Sequence, residues 1–191
     1  MNRLVRIAFL ASSLVVFAPS VFAQDAPRPL DPHIRTANRQ LRAMISAGRQ
    51  VSPTLYGIIK RIELSDVIVY LDTHLLTTPG VAAQSQFVST TNGHRYVRVI
   101  IDSRFSGAPL VGLIGHELQH VAEIAAEPSV VDPRSMATYD RRIGFKSPTG
   151  GTNRYESAAA ITAGRRVMQD AMEHSTEVNA AVVRINARDR E

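Results

Sequence analysis

VGLIGHELQHVAEIAAEP, residues 111–128, sets His116 and His120 four positions apart, with Glu117 between them, in a segment that otherwise reads as a buried helix. Val111, Leu113, Ile114, Leu118, Val121, Ile124 and Ala125 leave little of such a helix for solvent. Positions i and i+4 of a helix lie one above the other on the same face, so both imidazoles can offer a ring nitrogen to one point. Burying them without partners costs a few kcal/mol, and a shared metal ion removes that cost. The competing reading, a surface helix whose histidines contact carboxylates such as Glu123, sits poorly with so apolar a stretch.

The spacing is that of an HExxH zinc site. A catalytic zinc takes three protein ligands and keeps a fourth position for water. Glu117 is then the base that takes the proton of the polarised water as it attacks a carbonyl. The longer pattern HExxHxxGxxH is not present, because Glu123 stands where its glycine would be and Ala126 where its third histidine would be. At ~1.5 Å per residue Glu123 lies ~10 Å along the axis from His116. It therefore reads as a partner that orients His120. The third ligand is expected from another helix. Glu156, in RYESAAAITAGRR, opens a predicted C-terminal helix and is followed by small residues that let two helices approach closely. Glu173, Glu177 and His174 sit where that helix ends. Two imidazoles and a carboxylate suit zinc, and nickel or cobalt fit the same ligands.

Outward from this stretch, the chain alternates helical and strand patterns. Residues 33–47 carry Ile34, Ala37, Leu41, Met44 and Ile45 at helical spacing before Gly48. Ser52-Pro53 opens a second helix, to about Glu63. DVIVYLD predicts a buried strand over 67–71. Segments 83–90 and 95–102 flank Asn92-Gly93, which predicts a hairpin, because both turn residues must accept positive φ. A helix begins at Asp132-Pro133 and runs to Ile143, residues 148–152 read as a loop, and a long alanine-rich helix is expected over 155–173. The predicted fold is α+β: a small, mostly antiparallel sheet packed on helices, one bearing HExxH and one near the C-terminus bearing the glutamate.

The N-terminus reads as a secretory leader over residues 1–23. Arg3 and Arg6 precede an apolar run over 7–18, and Val21-Phe22-Ala23 forms a small-residue cleavage site. That run has 12 residues, short of the ~20 a membrane span needs. A proline-rich linker (24–32), one domain (33–175) and a polar tail (176–191) would follow. An exported chain usually has access to disulfides, but this one has no cysteine, so stability must come from a core, or from a core and a metal. Formal charge is +5, and only Lys60 and Lys146 are lysines. The arginines are scattered, with no basic stripe interleaved with aromatic residues, and a nucleic-acid partner is not expected.

An HExxH helix preceded by a strand and followed by a glutamate on a later helix resembles the gluzincin class of zinc metallopeptidases, over roughly residues 95–169. The chain is also similar to small exported bacterial proteins. The resemblance implies a minimal zincin-like domain, with zinc held by His116, His120 and Glu156 and Glu117 as the base. It also implies an upstream edge strand, near Tyr96 to Asp102, that holds the peptide substrate. Many relatives carry an acidic residue four positions after the third ligand, and Ala160 stands there in this chain. The class uses a donor to stabilise the oxyanion; Tyr139, in ATYDRRIG, is the candidate, with Arg141, Arg142 and Tyr155 nearby in sequence. The expected activity is an exported, periplasmic or secreted zinc-dependent hydrolase acting on peptides or proteins. The alternatives are a non-catalytic, zinc-stabilised module that binds a peptide or envelope partner, and a hydrolase of another amide, such as one in the cell wall.

Overall fold

The computed structural model describes residues 33–146 and 155–188. The expected leader, linker and 148–152 loop lie outside them. In chain order the elements are β1 (Ile34–Arg35), α1 (Arg39–Val51), α2 (Pro53–Glu63), β2 (Val67–His74), β3 (Ala83–Thr91), β4 (His94–Asp102), α3 (Gly107–Ala126), α4 (Pro133–Ile143), β5 (Phe145–Lys146), β6 (Tyr155–Glu156), α5 (Ala158–Glu173) and α6 (Ser175–Arg188). The fold is α+β.

Local chemistry sets many of these boundaries. Ser52 caps α2 by accepting from Leu55 N, with Pro53 in the first turn, where its missing N–H leaves no bond unmade. Asp132 and Ser135 form a reciprocal capping box at the start of α4. The β3–β4 turn has Asn92 at φ 50° and Gly93 at φ 75°, the left-handed geometry that the dipeptide predicts. The first helix starts later than its periodicity suggests, at Arg39 behind an Asn38 cap. Ile34 is instead drawn into a parallel pairing with Val69.

The sheet order is β1-β2-β4-β3. Its β1–β2 and β2–β4 pairings are parallel, and only β3–β4 is antiparallel. The expectation of a mostly antiparallel sheet is thus corrected to a mixed one. The cause is which arm of the hairpin docks on β2. β4 carries Val97, Val99 and Ile101, all at 0 % exposure, and suits a central position covered by neighbours on both sides. β3, with Gln84, Ser85, Gln86, Ser89, Thr90 and Thr91, suits the rim. β3 is therefore an edge strand of the sheet, and the strand near Tyr96 to Asp102 expected to hold substrate lies inside it.

Val67, Val69 and Leu71 of β2 and the inward residues of β4 pack beneath Leu110, Val111, Ile114 and Leu118 of α3 and Ile58, Ile59 and Ile62 of α2. Against its other neighbour, α5, helix α3 approaches closely through glycines. A Cβ on Gly112 would lie 2.7 Å from Met168 Cβ, and one on Gly164 would lie 2.9 Å from His116 Cβ. At the C-terminus of α3 the buried Arg95 donates to Asp66 through Nε (2.8 Å) and Nη2 (2.7 Å). It also donates to the carbonyls of Ile124, Ala125, Glu127 and Val130 at 2.8–3.2 Å. Helix α3 has no basic residue in its last turn, so this guanidinium from β4 supplies the capping charge that its unpaired carbonyls need.

Two further differences concern the C-terminal part. The long helix starts at Ala158, not at 155: Ser157 caps it by accepting from Ala160 N, and Tyr155 and Glu156 form the extended pair β6, opposite Lys146 and Phe145. Part of the expected polar tail is α6, in which Val178 is 1 % exposed in the core and Ala181 packs against it. Val178, Ala181, Val182 and Ile185 recur at i, i+3, i+4 and i+7 in the sequence, a helical pattern that the expectation of a polar tail overlooked.

Candidate metal centre

His116 and His120 point from one face of α3, with ring centroids 5.0 Å apart. Glu156 reaches them from β6. Its Oε2 lies 2.9 Å from His116 Nε2 and 3.7 Å from His120 Nε2. One donor atom from each of the three residues falls within 4.8 Å of the others, the one such group among the described residues. Bonds of ~2.0–2.1 Å to a tetrahedral ion place its ligand atoms roughly 3.3 Å apart, so these spacings fit.

A sharper test of fit is the state of Glu156 Oε2. Despite its short distance to His116, no N–H is aimed at it in hydrogen-bonding geometry, and it is the one buried side-chain polar atom among the described residues without such a partner. A buried carboxylate oxygen left without a donor is costly, and a cation between it and the two imidazoles satisfies all three groups. The glutamate singled out in the sequence reaches the two imidazoles from an unexpected element, a two-residue strand paired with β5.

Hydrogen bonds around the trio fix its orientation. His120 Nδ1 lies 3.1 Å from Glu123 Oε2, so Glu123 is the orienting partner its sequence position suggests. Glu123 Oε1 in turn accepts from Ser157 Oγ at 2.6 Å. Burial would push the His120 pKa down, but Glu123 and Glu156 beside its two nitrogens, with Glu117 nearby, outweigh it and lift the value to about 10. Burial raises Glu156, and His116 and His120 overcome it to bring it to about 2. Glu123 follows the same balance and is lowered by His120 and Ser157. Among the described residues no carboxylate meets His116 at its other nitrogen. Gly164 packs there, and its Cβ position would lie 3.4 Å from His116 Nδ1.

Glu117 is 6 % exposed and stands outside the trio. Its Oε2 accepts from Ser85 Oγ of the edge strand at 2.6 Å. Glu117, His120 and Glu156 line a hollow of about 220 Å³ together with Ser85, Gln84 and Gln86 of β3, Met136 and Asp140 of α4, and Tyr155. Larger hollows, of about 590 and 600 Å³, contain neither imidazole, so size alone does not mark the site. Tyr139 is not brought to the hollow: its hydroxyl donates to Glu123 O at 3.2 Å and Arg142 sits over its ring. Tyr155 lines the hollow, and Tyr139 does not.

The remaining histidines have other uses. His33 and His94 bond the carbonyls of Val67 and Asp66, and His174 that of Asp170. His74 pairs with Asp72 at 3.3 Å on the surface. Glu173 accepts from Gln169 and joins no metal group. Sequence reasoning missed Ser85, Ser157 and Asp140. A serine ahead of an alanine run signals an N-cap, so Ser157 carried a readable sign. Nothing in the pattern of β3 or α4 distinguishes the other two. Gly144, between α4 and β5, fixes how these walls meet, since a Cβ there would lie 2.8 Å from both Asp140 O and Glu156 O.

No family model matches the chain, and no curated protein and no solved structure matches it.

Proposed function

We propose that this chain is an exported zinc-dependent hydrolase, a peptidase of the gluzincin type in which His116, His120 and Glu156 hold the metal. The observation that carries the reading is the donorless Oε2 of Glu156 facing two imidazole nitrogens, with a further buried carboxylate, Glu117, opening onto the same hollow. Bound zinc would supply a polarised water and a Lewis acid for the carbonyl. Glu117 takes the proton of that water and returns it to the leaving nitrogen, while the Ser85 hydroxyl fixes the direction in which its carboxylate faces. Glu123 holds the His120 ring by Nδ1, leaving Nε2 for the metal. The edge strand β3 offers main-chain groups to an extended peptide, and its Gln84–Gln86 segment passes directly by Glu117. Tyr155, in the hollow, is the candidate donor to the oxyanion.

A second reading, a zinc-stabilised binding module, is favoured by one feature: among the described residues no acidic side chain supports His116 at Nδ1, and Ala160 stands where many gluzincins place one. Two measurements separate the readings, metal content by mass spectrometry and hydrolysis of a mixed peptide library by wild type and Glu117→Gln. The peptidase reading expects about one zinc per chain in both proteins and cleavage by the wild type alone, with a loss of at least ~100-fold in the variant. Zinc in both with no cleavage dependent on Glu117 selects the binding module.

A further inference from the structure

Asp140 lines the hollow beside His120 and Glu156, and the chemistry above gives it nothing to do. It is half-buried, and its side chain makes no hydrogen bond or ion pair with any described residue. Two arginines follow it directly, and both make their hydrogen bonds elsewhere: Arg141 donates to Thr138, and Arg142 pairs with Glu127. Arg141 and His120 attract Asp140 at a distance, and neither forms an ion pair with it. A carboxylate in a partly enclosed site is normally matched by a cation. Charge within the site does not supply one, because a divalent ion is already balanced by Glu156 and the neighbouring Glu117. Met136, one turn before Asp140 on α4, and Tyr155 line the hollow with it, in a lining that is otherwise largely polar. They are apolar surfaces of the kind along which the methylene stem of a lysine or arginine lies, its charged end reaching beyond.

We propose that Asp140 forms a subsite for a cationic group of the substrate, so that the hydrolase acts on peptides carrying an ammonium or guanidinium group close to the scissile bond. This rests on the peptidase reading of the same hollow and adds its substrate class. The cation can come from a lysine or arginine side chain or from a free amino terminus. The apolar surface of Met136 and Tyr155 favours a side chain, and the test separates the two.

The zinc-loaded full chain, wild type and Asp140→Asn, is given a peptide library with acetylated and with free amino termini, and the cleaved bonds are read by mass spectrometry. Matched peptides with lysine or the isosteric neutral norleucine beside the cleaved bond then give kcat/KM ratios. The wild type is expected to favour lysine by roughly tenfold or more, as one charge-assisted contact in a half-buried site provides. In Asp140→Asn the ratio should fall to within about twofold, and in Asp140→Lys the preference should move to glutamate. A preference that instead follows the free terminus assigns the same contact to the α-ammonium. Glu117-dependent cleavage with no cationic preference, or with one that survives in Asp140→Asn, overturns the subsite and leaves the peptidase reading standing. No Glu117-dependent cleavage of any peptide overturns both.

Discussion

Helix α3 carries two polar centres, one around the buried Arg95 and one half-buried, and they are built on opposite terms. At its C-terminus Arg95 gives its guanidinium protons to Asp66 and four carbonyls. In its middle His116, His120 and Glu156 converge and leave a carboxylate oxygen without a donor. The first centre is complete with the chain's own atoms, as a structural lock should be. A bound cation would complete the second. Buried polarity alone therefore does not single out a candidate site in this molecule; the buried oxygen left without a donor is what makes the second centre the candidate.

Removing the lock should have the largest effect. Arg95→Met leaves Asp66 and the end of α3 without their partner and is expected to cost about 3–5 kcal/mol of stability, with or without zinc, as read by denaturant unfolding. Next in size is removal of the metal. At free zinc ~1,000-fold above Kd, a chelator should lower stability by about 4 kcal/mol, and Glu156→Gln should abolish that difference while changing the metal-free protein by less than about 1 kcal/mol. If metal-free Glu156→Gln instead unfolds as readily as Arg95→Met, the two centres do not differ in kind. Gly164→Ala forces a methyl against His116 and is expected to cost about 1–3 kcal/mol, with weakened zinc binding measured by competition with a chromophoric chelator.

The smallest effect is a proton count. His120 is held protonated to about pH 10 in the metal-free protein, because its folded value lies above its ordinary one. Its charge contributes stability fully below the ordinary histidine range, and the contribution is lost as pH rises through about 10. Zinc needs the neutral ring, so binding near pH 8 should release about one proton from this residue. Calorimetry in buffers of different ionisation enthalpy reads this directly. A buffer-independent enthalpy would mean that zinc does not displace a proton there.

What the sequence made legible was what short-range chemistry controls. Ser52-Pro53, Asn92-Gly93 and Asp132-Pro133 each determine a local geometry, and those boundaries hold to within a residue or two. The three clustered side chains were also readable, since i, i+4 spacing and the need for a third ligand point at few residues. The errors lie where distant pairing decides. Ile34 fits a helical pattern but is taken by Val69, and Tyr155 and Glu156 precede an alanine run but pair with β5. Which hairpin arm sits inside depends on docking against β2, and with it the identity of the edge strand. Asp140 is ordinary in a polar helix until the fold turns it toward His120.

Gly144 places two properties under one constraint. The backbone oxygens of Asp140 and Glu156 close on it from either side, so the residue proposed to choose the substrate and the residue proposed to grip the ion share a single rigid joint. Attempts to retune selectivity by reshaping α4 would detune the metal at the same time. Side-chain exchange at position 140 is the route that leaves that joint intact.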